Sequence, residues 1–179
     1  MKKIDNFLSD KLNESSQYTC QPSDKHELLQ IIVKRLMSEG YDCDLNDIDT
    51  SKITDMSDLF DSDNDIYSSS MVRSALGSKD SYGNYLTIVR KFNGDISKWD
   101  VSNVTNMEYM FNMCWEFTGD LSKWNVSKVE KMECMFWECK KFNQDLNSWD
   151  ISSISNANRI VDTFKNCPTQ PEWYINKIQ

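Results

Sequence analysis

Histidine is almost missing from this chain of 179 residues; His26 is the only one. A histidine acting as a general acid or a metal ligand needs convergent partners. None is visible, so His26 reads as a solvated side chain. Long apolar runs are missing too. Nothing approaches the ~20 residues that span a bilayer. The N-terminal MKKIDNFLSDKLNESSQYTC is broken by Asp5, Asp10, Lys11 and Glu14. A secretory signal would carry an uninterrupted apolar core there, so the chain is expected to stay in the cytoplasm. Positive charge is in deficit, with 20 Lys and Arg against 28 Asp and Glu and a net charge of −8. That argues against direct binding to nucleic acid or anionic membrane. It fits a basic partner, or simple solubility. Cys134 and Cys139 have no second close pair with which to close a zinc site. Asp61 to Asp65 opens like a calcium loop, but Ile66 stands where Gly is needed and Val72 where Glu is needed. No metal and no cofactor are expected.

What the chain does have is a repeat. FNGDISKWDVSNVTNMEYMFNMC (Phe92 to Cys114) recurs as FTGDLSKWNVSKVEKMECMFWEC (Phe117 to Cys139), and again as FNQDLNSWDIS from Phe142. The period is 25 residues, in the range of stacked repeats. Trp99, Trp124 and Trp149 share one position, and Cys114 and Cys139 another. In the third unit Ala157 and Ile160 take the methionine positions. The F-x-x-C ending there arrives late, as Phe164 and Cys167, so an insertion of one helical turn is expected before it. A weaker copy runs from Asp44 to Phe60. The stretch 61–91 between is a degenerate repeat or an insertion.

The pattern F-N-x-D-[IL]-S-x-W-[DN]-V-S-x-V-x-x-M-x-x-M-F-x-x-C resembles the BspA-type family of bacterial leucine-rich-repeat-like proteins. The resemblance covers Asp44 to Cys167. It implies a short-stranded solenoid used for binding, among relatives that are surface proteins or are encoded by gut bacteria and their phages. It carries no catalytic residues.

The expected fold is therefore α/β: a short leucine-rich-repeat-like solenoid of stacked short strands and short helices. Residues 1–40 form an N-terminal helical segment and cap, 41–168 the solenoid, and 169–179 a C-terminal cap or tail. Asp95-Ile96-Ser97 and its counterparts read as the strands, and Asn103 to Met113 as a helix with Val104, Met107, Met110 and Phe111 on one face. The hydroxyl of Ser102 is placed to accept an N–H and start that helix. Asp24 to Glu39 carries a capping-box signal in Asp24 and Glu27 and a stop at Gly40. Met1 to Glu14 has helical spacing as well. Tyr85 to Val89 has the composition of a strand.

Each repeated residue type has a structural reading beside a chemical one. The tryptophan row reads as stacked core rather than a sugar or base platform. The recurring cysteines read as buried thiols. The rows of Asp and Asn read as turn formers whose mutual repulsion must be met by N–H bonds, cations or solvent. Departures from the repeat are the candidates for contact with a partner: Tyr67, Tyr82 and Tyr85 in the 61–91 stretch, and Trp115 and Trp137 out of frame. The expected function is non-catalytic protein recognition, not an enzyme. The alternatives are a phage-encoded intracellular inhibitor of a host defence nuclease, of the anti-CRISPR or anti-restriction type, using its acidic surface, and a fragment of a bacterial surface adhesin. The partner is expected to be a protein; a basic or nucleic-acid-binding one fits the charge.

Overall fold

The structure is a computed structural model that describes residues 18–62 and 80–178. It contains three α-helices among the described residues, α1 (Lys25–Glu39), α2 (Asp80–Arg90) and α3 (Glu172–Ile178), and one 3-10 turn, Ala157–Ile160. The segment Met1 to Glu14 lies outside the described residues.

The repeats stack as coils, and the backbone shows how. Met56, Asp58 and Phe60 donate their N–H groups to the carbonyls of Asn106, Glu108 and Met110. Met107, Tyr109 and Phe111 donate likewise to Lys131, Glu133 and Met135, and Met132, Cys134 and Phe136 to Arg159, Val161 and Thr163, all at 2.8–3.0 Å. The last set of partners shows the register of the third unit. Ile160 matches Met132, and buried Thr163, not Ile160, takes the second methionine position. Ala157 is exposed, and the extra residues form the 3-10 turn that precedes this match.

The expected α/β solenoid with stacked strands is overturned. Among the described residues there is no β-strand and no sheet, only isolated parallel bridges such as Asp44 with Asp95 and Asn106 with Lys131. The reason is local. The Asp95 carboxylate accepts the Ser97 N–H at 2.9 Å, and the Trp99 N–H bonds the Ile96 carbonyl at 3.1 Å. The chain turns before a third residue can extend. The expected helix from Asn103 to Met113 is replaced by turns for a related reason. Met110 donates to Met107 and Cys114 to Phe111, with Tyr109 and Met113 between them at φ 57° and 60°. A positive φ at the third residue is what a type II turn requires. It cannot continue an α-helix. The M-x-x-M spacing fits an i,i+3 turn as well as it fits a helical face. Cys134 with Glu138, and Asp162 with Asn166, repeat the arrangement.

The Asp and Asn rows are turn formers, as their spacing suggested. Asp100, Asp120, Asn125, Asp145 and Asp150 each accept the N–H two residues ahead. Ser102 therefore donates its N–H to Asp100, where its hydroxyl was expected to accept one. Charge strengthens such bonds. The Ser97 N–H above all holds the Asp95 carboxyl below its ordinary value. The Ser122 hydroxyl and N–H do the same for Asp120, and those of Ser152 for Asp150.

Large side chains fill the stack in columns. Phe60, Phe111, Phe136 and Phe164 stack at 5.3–5.4 Å between ring centroids. Phe92, Phe117 and Phe142 form a second column at 5.7 and 5.9 Å. The tryptophans of the repeat row are core: each indole N–H donates to the coil behind, from Trp99 to Leu45, Trp124 to Ile96 and Trp149 to Leu121. Trp173 of α3 extends this column by donating to Leu146 at 2.8 Å. A buried indole left without a partner would be costly. At the other end α1 lies on the first coil, burying Leu28, Ile32 and Leu36. Arg35 reaches Asp47 at 3.1 Å, and Lys25 reaches Asp58 at 3.2 Å. Asp24 caps α1 by accepting the Glu27 N–H, while Glu27 returns to Ser23 rather than to Asp24.

Asp44 bridges directly to Asp95, so no coil stands between these two. Ser62 donates its N–H to Asn112, and Arg90 accepts that of Trp115, so both stay in register with the next coil. Leading into Arg90 is α2, packed on α1; Tyr85 and Val89, expected in a strand, are buried helix residues.

Two expectations can be measured. A Cβ added at Gly94 would sit 2.3 Å from the Cys43 carbonyl oxygen, whereas one at Gly119 meets only the Phe117 ring, and Gln144 occupies the equivalent place in the next coil. Gly94→Ala should cost about 2–3 kcal/mol of stability in urea unfolding, and Gly119→Ala clearly less; equal losses would show that the backbone contact does not matter. The second concerns acid. Asp95, Asp120 and Asp150 have folded pKa values below the unfolded value of ~3.9. Their charge therefore adds stability that is complete above that value and lost as pH falls through the folded pKa. Replacing all three with Asn keeps the acceptor, as Asn125 does naturally. The gap in thermal midpoint between wild type and this variant should narrow as pH falls from about 5 to below the unfolded value of ~3.9. A gap constant across that range would show that the charge contributes nothing.

Candidate functional site

Nucleophilic chemistry finds no support in the thiols. Cys114 and Cys139 each donate S–H to a carbonyl of the coil behind, Phe60 at 3.1 Å and Phe111 at 3.0 Å. Burial pushes both thiols well above their ordinary value, and Cys167 up to about 12. A thiol held protonated is a poor nucleophile. All six cysteines are free. His26 is exposed on the first turn of α1, where it meets Gln30 at 2.9 Å. Among the described residues no group of three His, Cys, Asp or Glu is placed to hold a metal. No helix among them is long and apolar enough to cross a membrane.

The surface is more informative. At the corner between one coil and the next, two columns run at the repeat spacing: Arg90, Trp115, Lys140 and, beside it, Lys91, Glu116, Lys141. The backbone sets them in register, because the Trp115 N–H donates to the Arg90 carbonyl at 2.9 Å. Trp115 is 36% exposed. Its ring has the Arg90 guanidinium at 5.3 Å and the Lys140 ammonium at 5.0 Å from its centroid. Cations at this range are attracted to an indole face. Lys140 also lies 3.6 Å from Glu138, and Lys141 pairs with Glu116. An open groove of about 550 Å³ follows the same corner, lined by Tyr41, Lys91, Asn93, Glu116, Thr118 and Lys141. Tyr41 is 45% exposed.

Of the residues singled out for contact, Trp115 is thus on the surface in a charged setting. Trp137 is half-buried in a different column, with Lys165 at 5.2 Å from its ring; the two tryptophans do not share a row. Tyr85 is 1% exposed and belongs to the core. Tyr67 lies outside the described residues, as does the side chain of Tyr82. Arg90, Lys91, Lys140, Lys141 and Tyr41 were missed. The signal for the four cations was present, since Arg90-Lys91 and Lys140-Lys141 stand two periods apart.

The family described as "Mycoplasma protein of unknown function, DUF285" matches residues 33–72 and 83–173. No curated protein and no solved structure matches the chain. The family match is consistent with the resemblance to BspA-type repeats. It runs from within α1 across the stacked coils into α3, and on that extent the chain belongs to the DUF285 family.

Proposed function

We propose that this protein is a non-catalytic recognition module that binds another protein at the corner around Trp115. The observation that carries this reading is the exposed Trp115, held between cations from the coils before and after it. Exposed tryptophan and arginine on a rigid support are the residue types that dominate binding energy at interfaces. The support is rigid because both ring columns and the cross-coil hydrogen bonds lie directly behind it. The buried, protonated thiols favour a role without covalent chemistry.

A second reading has its own observation. The turn-forming carboxylates Asp95, Asp120 and Asp145 recur at the coil spacing and are exposed. That column supports an inhibitor occupying a basic nucleic-acid channel, as the phage-type alternative requires. The two readings use different faces and respond differently to substitution.

The immobilised full chain should retain a partner from lysate of its native cell, identified by mass spectrometry. Trp115→Ala should lose that partner by tenfold or more, about 1.4 kcal/mol, while its thermal midpoint stays within a few degrees of wild type. A partner retained equally by Trp115→Ala and lost by Asp95→Asn/Asp120→Asn/Asp145→Asn would replace the corner reading with the acidic-face reading. A column that retains nothing specific would sink both.

A further inference from the structure

The corner has a charge opposite to that of the chain. Arg90, Lys91, Lys140 and Lys141 face two carboxylates, Glu116 and Glu138, on a protein whose net charge is −8. The cations stand at repeat positions, two coils apart, on either side of the coil that carries Trp115 and Glu116, so they bracket the corner rather than scatter. Lys91, Lys140 and Lys141 are exposed, with the Lys140 and Lys141 side chains at 58% and 60%.

The indole at this corner is already engaged. Arg90 comes from the coil before and Lys140 from the coil after, and both lie over the ring. A ring held this way is not an open platform for a sugar or a base, which would need a free face. What remains outward is the indole edge, the ammonium groups and the Tyr41 ring at the head of the groove. Such a surface attracts carboxylates and tolerates apolar atoms between them.

Resting on the recognition reading above, we infer that the corner binds an acidic, extended peptide segment of the partner, lying along the groove from Tyr41 to Lys141. Complementary charge supplies the attraction and the register. The Phe92, Phe117 and Phe142 rings behind the groove are separated by 5.7 and 5.9 Å. Two such steps match about four residues of extended chain at ~3.3 Å each. Alternate side chains of an extended segment point the same way, so acidic residues four apart face the two cationic coils, with Trp115 and Glu116 between them. A nucleic acid is disfavoured although it too is anionic: its charge density would bring it against the exposed carboxylate columns on the rest of the surface.

The test uses the full chain and a fluorescein-labelled oligoglutamate peptide, followed by anisotropy at low salt. Saturable binding is expected, and Lys91→Glu/Lys140→Glu should weaken it by about tenfold or more. The control Lys98→Glu/Lys123→Glu makes the same change in net charge on exposed positions of other columns, and should weaken it by less than about threefold, the long-range part of the field. No saturable binding by wild type, or equal weakening by the two variants, overturns the inference. So does tighter binding of a single-stranded oligonucleotide of equal charge. A Trp115-dependent partner captured from lysate, together with failure of the peptide, would leave the recognition module standing and remove only its acidic ligand.

Discussion

The structure depends on one short hydrogen bond, made again in every coil: an Asp or Asn side-chain oxygen accepts the N–H two residues ahead. In a chain with few helices and no strand among its described residues, backbone polar groups still have to be satisfied. Asp95, Asp120 and Asp145 meet part of that demand at one bend, and Asp100, Asn125 and Asp150 at the next. Because the acceptor is charged, the turn is tight and stable at neutral pH. Because it is short, the chain never runs straight long enough to form a ladder of strands. The same atoms that make the protein acidic therefore make its shape.

Once each coil is closed in this way, its neighbours are held by groups that point along the stack. Alternate N–H groups of the M-x-x-M-F stretch donate to the next coil, indole N–H and thiol S–H donate to the one behind, and phenylalanine rings lie face to face. The left-handed residues, Tyr109, Met113, Cys134 and Glu138 among them, are the strained points. Each costs of the order of 1 kcal/mol or more for a residue with a Cβ, and the cross-coil bonds around it offset that cost. This division explains why buried positions vary little from unit to unit while the corner does not. Arg90-Lys91, Trp115-Glu116 and Lys140-Lys141 occupy one place in the coil with two different chemistries, a pair of cations and an indole beside a carboxylate. A surface built from rigid, independent corners suits recognition, since each can change without disturbing the columns behind it.

The period, the tryptophan and cysteine columns and the turn-forming Asp rows were all legible in the sequence, because each follows from residue type at fixed spacing. The capped helix Lys25–Glu39 was legible for the same reason. The turns that stand where strands and short helices were expected were not. Spacing of two or three apolar residues does not distinguish an extended run or a helix from a chain of turns; that was decided by which oxygen captured which N–H. Equally hidden was that Asp44 lies directly against Asp95.

The candidate site divides in the same way. Trp115 could be chosen from the sequence as a large aromatic outside the frame, and the cations at the repeat spacing stood in plain view. That Tyr85 is core, that Trp137 belongs to another column, and that Arg90 and Lys140 close on the Trp115 ring were settled only by the tertiary structure. Sequence by itself determined that the chain would repeat and what would be buried, since burial follows a period. Which face a corner residue meets depends on contacts between residues a full coil apart, and only the packed stack brings those together.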